Sequence, residues 1–385
     1  MPDQPRHDVH LYLVSTHATP NVTPALDETT RPREVVLLVS PEMEDRATWL
    51  ESVLHRAGLG VTRWPIKAAW DIEHIRERVT ALLRDYGERS IALNATGGSK
   101  AMSIAAFDVF RADHRPVFYV HPEKDLLVWM YPQNVPHHHL ADRIGIRRFV
   151  EVYGGQVTAM KVRQADKRRL AFAGDVIAEI DYFSKAIGTL NYLAGSAERD
   201  LRSRELDQNA RQDQALGELL RRLEALNILE HRDKRLHFTG EEQRFFANGG
   251  WLEDYVFATV NGLKKTFPAL QDSAMSVQVV RGDSVKNEID VAFLLDNKLH
   301  LIECKAKKFA RRDGGDGTDT LYKIDSLSGL FGGVETRSML VSYKKLGQHD
   351  LQRAAEMQVE VVHYKALADL EPTLRQWIEG RSGVQ

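Results

Sequence analysis

Three charged side chains interrupt two apolar segments in the last third of the chain. Asp290 lies in NEIDVAFLLD, Glu303 and Lys305 lie in KLHLIECK, and a turn is predicted at 296–298. Residues two apart in a strand share a face, so Glu303 and Lys305 point together while Cys304 points into the core. If the two strands pair, both carboxylates and the lysine converge where the strands meet.

Two carboxylates beside a lysine suit metal-dependent phosphodiester hydrolysis. Mg²⁺ and Mn²⁺ prefer carboxylate and carbonyl oxygens, so the main-chain carbonyl of Cys304 joins Asp290 and Glu303 as a ligand candidate. The metal ion polarises the phosphate and activates a water, and a neighbouring ammonium such as Lys305 stabilises charge on the phosphoryl oxygens. A buried or edge-strand ion pair between Glu303 and Lys305 explains the same spacing and stays open as an alternative.

A second candidate site is the glycine loop in IALNATGGSKAMSIAA, residues 91–106. A strand is predicted to end at Asn94 and a helix to begin near Lys100. Glycines let main-chain amides approach a ligand, and a helix N-terminus carries partial positive charge, so the loop suits a phosphate. The spacing matches neither the P-loop nor the dinucleotide fingerprint. An ordinary strand-to-helix turn is the alternative.

The elements that must position these residues indicate an α/β protein. As far as residue 132, strand-like runs such as EVVLLVS alternate with helix-like runs, which favours a parallel, doubly wound sheet with ligands at the strands' C-terminal ends. Residues 157–245 are predicted to be helical, with a candidate hairpin wing in HRDKRLHFTG. A winged-helix-like connector and a plain helical one both fit. From Trp251 onward, helices flank mixed strands and predict a second α/β domain.

Composition sets limits on the function. The chain has 385 residues and a net charge of −2, so it is long enough for two or three domains and carries no global charge that favours nucleic acid. Its single cysteine excludes an intrachain disulfide framework and a cysteine-rich zinc site. No apolar run is long enough for a membrane helix. These features predict a cytoplasmic protein without a membrane partner.

The pattern NEID…IECK resembles the active-site signature of the PD-(D/E)XK restriction-endonuclease-like superfamily. The resemblance implies that Asp290 and Glu303 are metal ligands and that Lys305 is the catalytic lysine. GGWLEDYVF is similar to the N-terminal helix of such nucleases, which adds Glu253 as a catalytic and metal-site candidate. A solvated surface glutamate is the alternative for Glu253. Ile289 stands where the superfamily's name has proline, a common departure.

Charged segments follow this signature. KAKKFARR (305–312) is a candidate for phosphate contact, with a solvated basic face as the alternative. DGGDGTD (313–319) is expected to form a flap. Tyr322 and Lys323 open the next predicted helix and are candidates to reach the substrate phosphate.

The longer string NATGGSKAM resembles the ligand motif of CRISPR-associated Rossmann-fold (CARF) sensor domains, which bind the cyclic oligoadenylates of type III CRISPR defence. The first-strand loop STHATPNVTP is also similar, and the likeness continues through residues 141–155. The resemblance implies ten ligand-site candidates: Ser15, Thr16, Asn21, Ser40, Asn94, Thr96, Gly97, Gly98, Ser99 and Lys100.

Together the resemblances imply an N-terminal Rossmann-like CARF domain at 1–156, a helical connector at 157–245 and a PD-(D/E)XK α/β domain at 246–385. The architecture is similar to homodimeric effectors that cyclic tetra-adenylate activates to cut DNA or single-stranded RNA with Mn²⁺ or Mg²⁺. A two-fold symmetric ligand fits across a dimer axis. The alternative function is a ligand-sensing, nucleic-acid-binding regulator with an inactive nuclease fold. DNA against RNA, the ring size and cleavage of the ligand by the sensor stay open.

Overall fold

The computed structural model describes residues 6–121, 124–282, 285–306, 318–332 and 336–380. Most of the predicted basic run KAKKFARR and of the predicted flap DGGDGTD lies outside these residues.

The first sheet forms as the alternation of strands and helices predicts. Within the described residues its strand order is β3-β2-β1-β4-β5-β6-β7, parallel from β3 to β5 and antiparallel beyond. The strands are β1 (Val9–Leu13), β2 (Glu34–Val39), β3 (Gly60–Pro65), β4 (Ile91–Asn94), β5 (Val117–His121), β6 (Leu126–Tyr131) and β7 (His138–His139). The chain runs outward from β1 to β3 and then returns to β4, so the topological switch point lies between β1 and β4. Ligands of doubly wound sheets bind at such a point.

Helices cover both faces of this sheet. They are α1 (Thr19–Leu26), α2 (Glu44–Arg56), α3 (Ile72–Tyr86), α4 (Lys100–Ala112) and α5 (Ile146–Val152). Apolar residues of α3 and α4 pack in one core, and those of α1, α2 and α5 pack in another. The N-termini of α1 and α4 both follow the C-terminal ends of strands at the switch point.

The first-strand loop differs from expectation. STHATPNVTP is expected to be a polar loop, but α1 begins at Thr19 and every one of its residues is buried. Internal hydrogen bonds make this burial possible. Thr19 Oγ1 pairs with the Tyr153 hydroxyl at 3.0 Å, and Thr23 Oγ1 donates to the Thr19 carbonyl at 3.3 Å. Because its residues are largely polar in type, this segment does not show in the sequence that it forms a buried helix.

The second sheet has the order β15-β14-β13-β12-β11-β8 among the described residues. Its strands are β8 (Gly155–Lys161), β11 (Leu270–Arg281), β12 (Val285–Leu295), β13 (Lys298–Lys305), β14 (Arg337–Ser342) and β15 (Val359–His363). The helices around it are α11 (Trp251–Gly262), α12 (Thr318–Leu330), α13 (Gln348–Glu356) and α14 (Leu370–Ile378). The strand β8 immediately follows the sensor segment yet pairs with β11. The second sheet thus begins close to the predicted domain boundary.

The middle of the chain consists of helices and one two-stranded hairpin. Its helices are α6 (Lys167–Ala178), α7 (Ile180–Ser196), α8 (Gln208–Gln212), α9 (Gln214–Ala225) and α10 (Glu241–Phe245), and the predicted hairpin is present as β9 (Leu229–Arg232) and β10 (Arg235–Phe238). A π-helical turn, Phe246–Gly250, joins α10 to α11. Apolar residues of α6, α7 and α9 share one hydrophobic core with α11 and the second sheet. The three-part division by sequence stays a proposal.

The segments that form the first and second sheets are also joined by apolar packing. One continuous core contains Phe149 and Val150 of α5, Leu299 and Leu301 of β13, and Phe331 just after α12. The helix α5 therefore lies between the two sheets. Among the helices in the described ranges, none combines the length and apolarity needed to cross a membrane.

Candidate functional sites

The β12–β13 hairpin brings Asp290 and Glu303 to one place. The strands are antiparallel and pair Val291 with Ile302, which leaves Asp290 and Glu303 at the next step of the ladder. The Cys304 main-chain N–H donates to Asp290 Oδ2 at 2.7 Å. A carboxylate thus satisfies an N–H at the end of the β12–β13 pairing, and this bond holds Asp290 against β13.

Lys323, from α12, forms the main ion pair of the site. Its Nζ donates to both carboxylate oxygens of Glu303, each at 2.7 Å. The side chains of Lys323 and Glu303 are 35% and 12% exposed. Although burial opposes it, the charges of Glu303 and Asp290 raise the pKa of Lys323, so it is an ammonium at neutral pH. Lys323 is also a sequence-based candidate for phosphate contact, and in this structure its ammonium contacts the Glu303 carboxylate.

Glu253 approaches the same place from α11. Its Oε2 atom is buried and has no hydrogen-bond partner. Burial, and then the negative charges of Asp290, Glu288 and Glu303, raise the pKa of Glu253 well above its ordinary value. The interpretation of Glu253 as a solvated surface residue therefore does not describe its surroundings.

The other acids of the site show the same perturbation. Burial and the charge of Glu303 raise the pKa of Asp290 to about 7, with Lys323 and the Cys304 N–H opposing them. Burial also raises the pKa of Glu303, despite the attraction of Lys323 and Lys305. Burial and neighbouring carboxylates thus outweigh the positive charge of the nearby lysines, and perturbed groups of this kind are typical of functional sites.

These residues fit a hard divalent cation. Asp290, Glu303 and Glu253 supply oxygen ligands, and the unpartnered Oε2 of Glu253 is an acceptor without a donor. Across the residues that the structure describes, no group of three or more His, Cys, Asp or Glu side chains is already arranged to hold a metal ion. In this arrangement the ammonium of Lys323 is hydrogen-bonded to both oxygens of Glu303.

Lys305 and Cys304 end the same strand. Lys305 lies two residues beyond Glu303, and its charge lowers the pKa of that carboxyl. The sequence also allows a simple ion pair between Glu303 and Lys305. In the structure, however, the hydrogen-bonded partner of Glu303 is Lys323. The Cys304 side chain is buried, and burial raises the pKa of its thiol. Its sulfur is therefore unsuited to act as a nucleophile.

The glycine loop lies at the switch point of the first sheet. A Cβ atom on Gly97 would lie 2.1 Å from the Leu13 carbonyl oxygen, and Gly98 has φ +73°. Only glycine allows this close approach of the loop to β1, and only glycine adopts that φ without strain. Ser99 caps α4 by accepting the Met102 N–H at 3.1 Å. Packing therefore accounts for both glycines, whatever the loop binds.

Two of the candidate ligand residues are buried and bonded internally. Asn94 Nδ2 donates to the Pro20 carbonyl at 2.8 Å and to Asn21 Oδ1 at 3.1 Å. Asn94 Oδ1 accepts from Thr96, and Asn21 Nδ2 donates to the Leu13 carbonyl at 3.0 Å. These amides join the glycine loop to α1 and β1. Their geometry suits holding the loop rather than contacting a ligand.

The remaining candidates surround the same edge. Thr16 and Lys100 are exposed, and Ser15 is half-buried with its hydroxyl donating to the His17 carbonyl. Ser40, at the end of β2, is buried and its Oγ has no partner. Side chains at the ends of β1, β2 and β4 thus lie at one edge of the sheet. That edge carries hydroxyls and one ammonium that suit a phosphate.

Comparisons with known proteins match both halves of the chain. A family model described as Card1 CARF domain matches residues 9–149, and one described as Card1-like, endonuclease domain, matches residues 240–380. The solved structure of protein VC1899 from Vibrio cholerae is 32% identical, with a TM-score of 0.89 over 97% of this chain and 99% of that one. A search of curated proteins found no match.

Two further solved structures are similar. Can2 from Sulfobacillus thermosulfidooxidans, in complex with cyclic tetra-adenylate, is 26% identical with a TM-score of 0.81, over 97% of this chain and 99% of that one. A type III CRISPR defence DNA nuclease activated by cyclic oligoadenylate shares the fold at 20% identity and a TM-score of 0.59, over 90% of this chain and 47% of that one.

Fold, site and matches define the class: a CARF domain followed by an endonuclease domain, as the sequence predicts. The chain belongs to the Card1-like family of CARF-domain endonucleases.

Proposed function

We propose that this protein is a metal-dependent nuclease of type III CRISPR antiviral defence that cyclic tetra-adenylate activates. The observation that carries the proposal is the cluster of Asp290, Glu303 and Glu253 where the β12–β13 pairing ends, in which burial raises the pKa of each carboxyl and neighbouring carboxylates raise those of Asp290 and Glu253 further. The endonuclease family supports the reaction, and the cyclic tetra-adenylate bound by Can2 supports the activator. The protein acts in the cytoplasm, on DNA, single-stranded RNA or both.

In this proposal Asp290, Glu303, Glu253 and the Cys304 carbonyl hold Mn²⁺ or Mg²⁺. When bound, the cation polarises the scissile phosphate and lowers the pKa of an attacking water. Lys305, on the same strand as Glu303, supplies an ammonium that stabilises charge on the phosphoryl oxygens. The Cys304 N–H holds the Asp290 carboxylate in place, as the 2.7 Å hydrogen bond indicates.

The sensor site is the edge formed by the ends of β1, β2 and β4. The main chain at Gly97 and Gly98 and the N-terminus of α4 face a phosphate, and Ser15, Thr16, Ser40, Ser99 and Lys100 add polar groups around it. Two subunits contribute one such edge each, because a two-fold symmetric ligand fits the axis of a homodimer. The ligand activates by binding the active arrangement more tightly than the inactive one.

The test is a cleavage assay on plasmid DNA and single-stranded RNA side by side. We expect cutting with Mn²⁺ that rises on addition of cyclic tetra-adenylate and that Glu303→Ala and Lys305→Ala abolish. Each variant must still bind cyclic tetra-adenylate, which shows that it is folded. Cleavage that is indifferent to the ligand, or that survives in both variants, would refute the proposal.

One observation favours the second candidate, a regulator that binds nucleic acid without cutting it. The ammonium of Lys323 occupies both oxygens of Glu303, which is the arrangement of a closed site. Under this alternative, cyclic tetra-adenylate changes nucleic-acid affinity while neither DNA nor RNA is cut with Mn²⁺ or Mg²⁺. The same assay, with binding measured by fluorescence anisotropy, separates the two functions.

A further inference from the structure

At the tip of the β12–β13 hairpin, Asn297 is buried against the sensor domain while Asp296 is exposed. Asp296 and Asn297 have φ values of +48° and +54°, as a tight two-residue turn requires. Such tips are ordinarily exposed to solvent, yet Asn297 is only 2% exposed. Its side chain therefore forms part of the contact between the two domains.

The amide of Asn297 is bonded at both ends. Its Oδ1 accepts from Gln271 Nε2 at 2.7 Å, and its main-chain N–H donates to Gln271 Oε1 at 3.0 Å. Its Nδ2 donates to Asp125 Oδ2, immediately before β6, and lies 3.4 Å from the Ala141 carbonyl oxygen. A single side chain thus ties the nuclease sheet to two segments of the sensor.

The hydrogen bond from Asn297 stabilises the ionised carboxylate of Asp125. Burial raises the pKa of Asp125 to about 7, the hydrogen bond from Asn297 opposes that shift, and the charges of Asp142 and Asp296 add to it. The positive charge of Lys298 also lowers the pKa of Asp125, but by less than the hydrogen bond from Asn297 does. The Asn297 amide is therefore the main group that stabilises the Asp125 carboxylate.

On the sensor side, the glycine loop contacts both walls of a small cavity beside this hydrogen bond. Asn94 Nδ2 donates to the Pro20 carbonyl at 2.8 Å, and Thr96 Oγ1 accepts the Val120 N–H at 2.7 Å. Pro20 and Val120 line the cavity together with Asn297. A displacement of the glycine loop therefore moves the surfaces that hold the hairpin tip.

On the nuclease side, the hairpin carries the proposed metal ligands. Asp290 and Glu303 lie at its far end, beyond the pair Val291–Ile302. The hydrogen bond from Cys304 N–H to Asp290 Oδ2 spans the two strands, so it depends on how they lie relative to each other. Moving the tip of a paired ribbon shifts both strands, and with them the two carboxylates.

We propose that Asn297 is a positioning residue that transmits the state of the sensor's glycine loop to the Asp290–Glu303 end of the hairpin through its hydrogen bond to Asp125. The inference rests on the proposed function, since it assigns the route by which the sensor ligand controls the nuclease site. Asn297 touches neither ligand nor substrate; it acts through Asp125 on one side and through β12 and β13 on the other.

Exchanging the amide and the carboxylate of the Asn297–Asp125 hydrogen bond tests the proposal. Asn297→Asp replaces the donor by a carboxylate facing Asp125, whereas the double variant Asp125→Asn with Asn297→Asp restores one donor and one acceptor in reversed order. Asn227→Asp is the matched control, because Asn227 is exposed, has φ +56° and gains the same charge away from the sensor. Each full-length protein is assayed for cyclic tetra-adenylate affinity and for cleavage with and without that ligand.

We expect Asn297→Asp to keep ligand affinity within about threefold of wild type and to lose about tenfold or more of the activation ratio, in the range of ordinary allosteric coupling. The double variant recovers most of the ratio, and Asn227→Asp matches wild type. Full activation of Asn297→Asp, or failure of the swap to rescue it, overturns the inference alone. Absence of activation in the wild-type protein overturns the proposed function and the inference with it.

A purely structural role gives a different result. If Asn297 only held the domains together, Asn297→Asp would lower the melting temperature and the amount of active enzyme, but the ratio of rates with and without ligand would be unchanged. Linkage supplies a second readout without catalysis, since coupling is reciprocal. In the wild type and the double variant, addition of nucleic acid together with Ca²⁺ must change the affinity for cyclic tetra-adenylate. In Asn297→Asp the same addition must change that affinity much less.

Discussion

Replacing Lys323 by methionine removes the hydrogen-bonded cation of the nuclease site with little change in side-chain volume. Lys323 Nζ donates to both oxygens of Glu303 at 2.7 Å. Without it, Glu303 faces Asp290 and Glu253, and of the two lysines that lower its pKa Lys305 remains. We expect Lys323→Met to lower the free energy of unfolding of the metal-free protein by about 2–3 kcal/mol.

This magnitude follows from the burial of the two partners. Removing one member of a fully buried ion pair costs about 3–5 kcal/mol, because the other charge stays buried without a partner. The Lys323 side chain is 35% exposed, however, and its partner Glu303 is 12% exposed. Solvent screening at the exposed end lowers the cost, and proton uptake by the abandoned carboxyl limits it further. At roughly 2–4 °C per kcal/mol, the melting temperature falls by about 4–12 °C.

The assay is thermal and denaturant unfolding in EDTA of the wild type, Lys323→Met, Glu303→Gln and the double variant. Since Glu303→Gln removes the buried charge, Lys323→Met should cost much less in that background. Lys365→Met is the control, because its pair with Asp181 is solvent-exposed and should not alter the melting temperature measurably. A Lys323→Met protein as stable as the wild type, or a double variant that shows simple additivity, would refute the reasoning.

Three further variants test other parts of the structure. Gly97→Ala should cost about 1–3 kcal/mol and weaken cyclic tetra-adenylate binding, because the added Cβ would meet the Leu13 carbonyl at 2.1 Å. Glu253→Gln should stabilise the metal-free protein by about 0.5–2 kcal/mol while weakening Mn²⁺ binding, because it removes a buried, unpartnered acid. Asp125→Asn should flatten the pH dependence of stability. The folded pKa of Asp125 is raised from 3.8 to about 7, so its contribution is full below about pH 4 and is lost as pH rises to about 7.

Each of these has a measurement that can contradict it. For Gly97, the control is Gly217→Ala on α9, where an added Cβ meets nothing within 4 Å and stability should be unchanged or higher. For Glu253, calorimetric Mn²⁺ titration that matches the wild type would exclude it from the metal site. For Asp125, denaturant unfolding at about pH 5 and about pH 8 should show a wild-type loss of about 2.7 kcal/mol, because the slope of 1.36 kcal/mol per unit acts over the roughly two pH units between pH 5 and the folded pKa of about 7. An equal loss in Asp125→Asn would assign the titration to another group.

Local pattern was enough to predict the hairpin and the strand–loop–helix unit. The two apolar strands around 296–298 pair as expected because a two-residue turn with positive φ sets their register. The glycine loop follows β4 and precedes α4 as the sequence indicates. In both cases the signal comes from consecutive residues, so nothing distant was needed to interpret it.

Contacts between distant segments could not be predicted in this way. The sequence indicates Lys323 as a candidate for phosphate contact, and its hydrogen bond to Glu303 depends on how α12 packs against β13. Asn297 looks like an ordinary turn residue, since the turn alone accounts for it. The strand β8 follows the sensor segment directly, but its partner β11 lies more than a hundred residues away. An amphipathic pattern indicates which residues of a helix or strand are buried, but it does not indicate which other element packs against them.

The apolar contact between α5 and the nuclease sheet has a consequence for how this architecture can be divided or recombined. Phe149 and Val150 pack with Leu299, Leu301 and Phe331 in one uninterrupted core. Cutting the chain near residue 154 would expose an apolar surface on each of the two fragments, and each fragment would be prone to aggregate. Exchanging sensors between relatives should therefore succeed only when α5 is transplanted together with the strands it covers.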